Sequence, residues 1–308
     1  MHIADSHSDY LAYCVMGAQG DHAYDQGGID RMHQGGVSLQ NLSIWAPVEL
    51  KDHIACSMGQ VAALYRLLRE SPAEVHLCTH PEHLKNPGIG FVLSVESGES
   101  IDCRTERIPQ FYDWGARILS LTWNFENAFA SGALNNGGIK PRGYEALRIM
   151  ERLNMALDVS HLNEEGFWEA LRIYGGVPCA THSCVYALCP NPRNLKKEQI
   201  EAMIERRGYI GVNFFTEFLT GKEASVFDVL EHIEYILQCG GEDTVGFGSD
   251  FCGMYSAPEG LKTMADFQNI PGAMQKRGYP AELIEKICYG NFARYILQFL
   301  KHKTDESI

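Results

Sequence analysis

Ala156-Leu-Asp-Val-Ser-His161 and Pro178-Cys-Ala-Thr-His-Ser183 are two short β-rich runs, each with a histidine at its end, separated by chain enough for one helix. Six more runs of this kind surround them: His2–Ser8, Val37–Trp45, Gly90–Ser97, Arg117–Trp123, Tyr209–Phe214 and Thr244–Asp250. Several are nearly continuous apolar stretches, as expected of parallel strands covered on their outer faces. Amphipathic helical patterns lie between them. His53–Arg69 places apolar residues at Val61, Leu64, Leu67 and Leu68, and Glu145–Leu153, preceded by Pro141, repeats them at Leu147, Met150 and Leu153. A further helical segment opens at Asn194, a possible cap, and stops before Gly208. Eight strand–helix alternations predict an α/β chain folded as a (β/α)8 TIM barrel, one domain over residues 1–308. A doubly wound sheet fits less well, because no Gly-x-Gly-x-x-Gly follows the first strand.

Composition narrows the class of function. The chain is 45% hydrophobic and 21% charged, enough to bury a large core. Its formal charge of −13 argues against a nucleic-acid partner or an anionic membrane surface. No apolar stretch is long enough to span a bilayer, and no basic, then apolar leader opens the sequence, so a cytoplasmic location is expected. The ten cysteines show no Cys-x-x-Cys spacing and are expected to be free thiols.

In a barrel of this kind the active site lies at the C-terminal ends of the strands. There the sequence carries Asp5-Ser-His7-Ser-Asp9, Val95-Glu96-Ser97-Gly98, Asp158-Val-Ser-His161, Thr181-His182-Ser183 and Gly248-Ser249-Asp250. Residues i and i+2 of a strand point the same way, so His7 and Asp9 can serve one ion. A single histidine or acid at a strand end is commonly structural. Five such ends converging on one rim offer nitrogen and oxygen donors for two zinc-like ions, with positions left for water and substrate. His76, His80 and His83 precede the third run, away from that rim, and read as a solvated loop. His22, His33, His53, His232 and His302 have no companion at ligand spacing. Gly246-x-Gly248 reads as close packing and Arg206-Arg207 as a helix end.

The ordered set of motifs resembles the membrane (renal) dipeptidase family, peptidase family M19. The set comprises the strand ends above, Gly35-Gly36-Val37 with Gln40, Pro192-Arg193-Asn194, Gly246-Phe-Gly-Ser-Asp250-Phe and Gly290-Asn291-Phe292, in family order along nearly the whole chain. The resemblance implies a zinc dipeptidase with two Zn2+ per chain. His7 and Asp9 would bind one ion, His161 and His182 the other, and Glu96 would bridge them. It implies that Arg193 receives the substrate carboxylate, that Asp250 handles the proton of the metal-held water, and that the chain forms a homodimer. A hydroxide shared between the ions would attack the scissile carbonyl. No serine or cysteine nucleophile is expected, since Ser183 and Cys184 lack a base–orienter pattern. One departure stands out: where the family often has Leu-Thr-His, with the histidine reaching the substrate, this chain has Leu121-Thr122-Trp123-Asn124. Two other readings stay open. A deaminase- or lactonase-type amidohydrolase is disfavoured by His-x-Asp on the first strand in place of His-x-His. A non-catalytic metal-bound binding protein is disfavoured by the retained donors.

Overall fold

The computed structural model describes residues 1–17 and 25–300. Nine parallel strands are present among them: β1 (Ile3–Asp5), β2 (Val37–Ile44), β3 (Val75–Leu77), β4 (Ile89–Val95), β5 (Ala116–Ser120), β6 (Ala156–Asp158), β7 (Cys179–Ala180), β8 (Tyr209–Val212) and β9 (Val245–Phe247). Eight of them close a barrel in the order β1-β2-β4-β5-β6-β7-β8-β9, with β9 returning to β1 through Asp5 and Phe247. The eight expected runs are these eight strands, all ending earlier than expected, with β4 and β5 beginning one residue sooner. The extra strand, β3, pairs with the first half of β4 at Ile89–Phe91, while β5 takes up the second half at Leu93–Val95.

Helices cover the outside. His53–Glu70 and Pro141–Leu153 form where the apolar spacing placed them. Asp52 caps the first by accepting from Ala55 N at 2.9 Å. Glu164–Ile173 is capped by Asn163, and Val226–Gln238 starts on a Ser225/Asp228 capping box. The cap expected at Asn194 is not formed. That helix runs Lys197–Glu205, and Asn194 Nδ2 instead donates to the carbonyls of Cys189 and Phe218, both at 2.8 Å. No described helix is long and apolar enough to cross a membrane. All ten cysteines are unpaired thiols.

The barrel interior changes character along its axis. Ala4, Leu39, Val92, Ile118, Ala156 and Cys179 form an apolar cluster with Tyr209 and the final helix, Asn291–Leu297. Phe292 and Tyr295 of that helix sit 5.0 and 5.8 Å from the Tyr209 ring, closing the N-terminal end. Asn291 fastens the helix by donating to the carbonyls of Glu242 and Val245. Two residues further along each strand, on the same face, stand Ser6, Asn41, Ser94, Ser120, Asp158 and Thr181, all buried. These polar groups bond to one another and to strand carbonyls: Asn41 Nδ2 donates to Ser6 O and Ser94 Oγ, and Ser6 Oγ to Thr181 O. A Cβ at Gly248 would stand 1.9 Å from Thr181 O, and one at Gly246 2.4 Å from Tyr209 Oη. Both glycines are there for close packing, as expected.

Because Phe292 is 1% exposed and plugs the barrel, Phe292→Ala is expected to cost about 3–5 kcal/mol, the usual range for emptying such a site. Urea unfolding measures it. A loss below about 1 kcal/mol would show that the plug is dispensable.

Candidate active site

Each strand-end residue singled out in the sequence lies just beyond its strand, at the C-terminal mouth. His7 and Asp9 follow β1, Glu96 follows β4, His161 follows β6, His182 follows β7 and Asp250 follows β9. All are buried except Asp250, which is partly so. Ser97, His161 and Asp250 hold left-handed φ values of 74°, 70° and 64°. Non-glycine residues rarely adopt this conformation, and three at one mouth mark a constrained site.

The side chains meet at Glu96. Its Oε2 lies 3.2 Å from His7 Nε2, and its Oε1 lies 2.8 Å from His161 Nε2 and 3.8 Å from His182 Nε2. His7 Nε2 is also 3.8 Å from Asp9 Oδ2 and from Asp250 Oδ1. The donor atoms form overlapping groups: His7, Asp9 and Glu96; Glu96, His161 and His182; His7, His182 and Asp250.

These groups fit cations rather than one another. His7 Nε2 and Asp9 Oδ1 are buried without a hydrogen-bond partner, a costly state for polar atoms. His161 and His182 bring their Nε2 atoms to 2.8 Å, although His161 Nδ1 faces the amide oxygen of Asn124 at 2.8 Å. That contact places the His161 proton on Nδ1 and leaves a lone pair on Nε2. Electrostatics agree. Burial and the neighbouring Glu96 raise the Asp9 pKa, and burial lifts Asp250 to about 7, with Asp9 and Glu96 adding and His7 opposing. Burial lowers the His161 pKa to about 3, Arg193 adding to it, and burial beside His7 holds His182 well below its usual value. His7 moves the other way: burial disfavours its charge, but Glu96 and Asp9 outweigh that and lift it well above normal. The acids want positive charge beside them, and two of the imidazoles stay neutral, as ligands must.

Arg193 lies in the loop after β7 and is 5% exposed. Its Nη2 donates to the His182 carbonyl at 3.2 Å and its Nε has no partner. It shares with His161 the wall of a cavity of about 350 Å³, which Ser183, Tyr186 and Asn163 also line. Trp123, after β5, stands 6.2 Å from the His161 ring, between Trp45 and Phe125 at 5.6 Å each. Ser183 Oγ meets only Ser160 Oγ, at 3.5 Å, and the Cys184 thiol donates to Asn213 O with its pKa raised by burial, so neither has a base to activate it.

Some supporting residues had no role assigned from the sequence. Asn124 orients His161, and Asn213 Nδ2 donates to Asp250 Oδ2 at 2.9 Å. Asp5 accepts from Ser249 N and Oγ and from Gln40 Nε2, tying β9 to β1 and β2. An amide directly after a predicted strand is the signal that could have marked Asn124; Asn213 lies inside the predicted run Tyr209–Phe214 and follows the strand only as it forms, Tyr209–Val212.

The other histidines stay out. The loop expected around His76 is in part the strand β3, formed because Val75–Leu77 finds the free edge of β4. His80, Glu82 and His83 cluster at that opposite end. His83 Nδ1 accepts from Thr79 N, which leaves the ring proton on Nε2 and no lone pair for an ion. His232 is spent on Val185 N and Leu219 O, and His33 pairs with Glu74. His22 and His302 lie outside the described residues. Arg206 donates to the carbonyls of Leu171 and Tyr174 at the end of a neighbouring helix.

Comparison with known proteins agrees with this geometry. The family model described as membrane dipeptidase (peptidase family M19) matches residues 1–307. A protein of Klebsiella pneumoniae, described as uncharacterized in the pqqA 5′ region, is 29% identical over 264 residues, 80% of this chain and 96% of that one. Dipeptidase tcpJ of Claviceps purpurea is 32% identical over 193 residues, 60% of this chain but only 45% of that protein. Among solved structures, a metallopeptidase of Rhodobacter sphaeroides liganded with a phosphinate mimic of the dipeptide L-Ala-D-Ala superposes with a TM-score of 0.87. It is 23% identical and covers 97% of this chain and 99% of its own. Dipeptidase AC, a family M19 metallopeptidase, also gives 0.87 at 24% identity, with the same coverage. These two show the barrel. The match along nearly the full sequence shows the family: this chain belongs to the membrane dipeptidases, peptidase family M19, metal-dependent enzymes that hydrolyse dipeptides.

Proposed function

We propose that the chain is a zinc dipeptidase acting on dipeptides with a free C-terminal carboxylate, with two ions at the mouth of the barrel. The observation that carries this reading is one juxtaposition. A buried Arg193 with an unpartnered Nε lines the same cavity as His161, one of the donors gathered on Glu96. An unpaired buried cation is costly, and a carboxylate entering that cavity would relieve it.

In this reading His7 and Asp9 hold one ion, His161 and His182 the other, and the two oxygens of Glu96 serve both. Two zinc ions, when bound there, would supply Lewis acidity toward the scissile carbonyl and would lower the pKa of water in the site enough to make hydroxide available near neutral pH. Asp250 has one oxygen occupied by Asn213 and the other 3.8 Å from His7 Nε2, at the mouth where it can take the proton of the attacking water and return it to the leaving amine. The planar fork of Arg193 suits the substrate carboxylate and fixes its distance from the reacting bond. Trp123 narrows the mouth beside His161, and its indole N–H can donate a single hydrogen bond to the substrate but cannot shuttle a proton.

The deciding experiment pairs elemental analysis with a hydrolysis panel of L,L and L,D dipeptides on zinc-saturated protein. About two zinc ions per chain and turnover of several panel members are expected. In the same panel Trp123→His is expected to raise kcat/KM for bulkier dipeptides without altering zinc content. If no member is cleaved, or one tight metal is found, the reading fails. Asp250→Asn should lower kcat by roughly 10² to 10⁴ at near-normal metal content, and a mutant that keeps most of its activity would move the proton role elsewhere. Arg193→Ala should lower kcat/KM on dipeptides about tenfold to hundredfold, the worth of a charge-assisted hydrogen bond, and leave carboxyl-amidated analogues little changed. Equal losses on both substrate types would make Arg193 structural.

A further inference from the structure

Thr181 is fully buried directly after β7. Its hydroxyl donates to Asp158 Oδ2 and lies 2.8 Å from His182 Nδ1 and 3.3 Å from His7 Nδ1. A hydroxyl has one proton and two lone pairs. The carboxylate of Asp158 claims that proton, and its other oxygen already accepts the N–H of Ser160 at 2.9 Å and of Thr181 at 3.0 Å. Toward the two imidazoles Thr181 Oγ1 can therefore only accept. Each Nδ1 must carry a proton, so in the neutral, ion-binding form of each ring it is Nε2 that presents the lone pair. The two rings lie 3.7 Å apart at 33°. Both Nδ1 atoms gather on Thr181, while the Nε2 atoms of His7 and His182 face Glu96 at 3.2 and 3.8 Å.

We propose that Thr181 is the positioning residue of both metal sites: one hydroxyl, its proton held by Asp158, sets the tautomer and aim of a histidine on each ion. This rests on the reading that His7 and His182 are ligands. His161 lies outside the arrangement, since its Nδ1 is turned to Asn124. Thr181 touches neither substrate nor the reacting atoms. Its effect runs through the two imidazoles, in the way that partners of metal-bound histidines fix ring orientation and raise ligand basicity.

The test is zinc affinity, measured for both ions by chelator competition on the full chain, with circular dichroism to confirm folding. Thr181→Val keeps the shape but leaves two Nδ1–H groups without an acceptor, and should weaken both ions about 10- to 100-fold. Thr181→Ser restores the hydroxyl and should stay within about twofold of wild type. Asp158→Asn leaves Thr181 in place and reverses its polarity. The two backbone N–H groups hold the amide oxygen at the Oδ1 position, so the NH2 group faces Thr181 and turns the hydroxyl proton toward a histidine. Zinc should then bind more weakly at one ion or both, and this variant carries the test if Thr181→Val fails to fold. Unchanged affinity in Thr181→Val or, should that variant not fold, in Asp158→Asn would overturn the proposal while leaving the ligand reading intact, and so would weakening of a single ion by Thr181→Val. Failure of the wild type to take up zinc would overturn the ligand reading, and the proposal with it.

Discussion

Glu96 is the group on which the mouth of the barrel depends. A carboxylate 5% exposed, with Asp9 and Asp250 close by, is a concentration of negative charge that the interior tolerates only with positive charge among it. His7 answers part of that demand in the bare protein, its imidazolium favoured by Glu96 and Asp9. A divalent ion would answer more of it, and the imidazoles of His161 and His182, kept neutral by burial, could serve as its ligands. The rest of the mouth follows: left-handed backbone at three strand ends, amides that fix His161 and Asp250, and a polar layer beneath that joins neighbouring strands through side-chain hydrogen bonds.

The axis of the barrel separates stability from chemistry. At the N-terminal end the interior is apolar and closed by the final helix, where burial of aromatic rings holds the structure together. One layer up, the same strands carry serine, asparagine, aspartate and threonine. Each pays its desolvation by bonding across strands, which rigidifies what stands above. Gly248 lets its backbone approach Thr181 and Ser6 closely enough for those bonds to form, and Gly246 leaves room for the Tyr209 ring beneath them.

Much of this was legible in the sequence, for definite reasons. Strands buried on both faces announce themselves as apolar runs, and a residue just past such a run has one place to go, so the positions of His7, Glu96, His161, His182 and Asp250 could be read before any coordinates. The strand at Val75–Leu77 could not, because three residues carry no periodicity and the strand exists only through the edge of β4. The helix after Arg193 starts later than its asparagine implied, because Asn194 is claimed by the carbonyls of Cys189 and Phe218. Asn124, Asn213, Asp158 and Thr181 were present in the quoted motifs or beside them, but their work is done across strands, on partners 23, 37 and 174 positions away. Sequence spacing cannot show that.

The bond between Asp5 and Ser249 joins positions 244 apart, and it stands directly beneath the donors. Residues from the first strand and from the last must therefore meet before the donor set exists. During synthesis His7 and Asp9 are made early and Asp250 late, so the chain emerges with the groups that meet around Glu96 still dispersed along it. Circularity thus acts as a check on completion. A chain interrupted between Ser183 and β9 keeps His7, His161 and His182 yet lacks Asp250 and the strand that closes the ring.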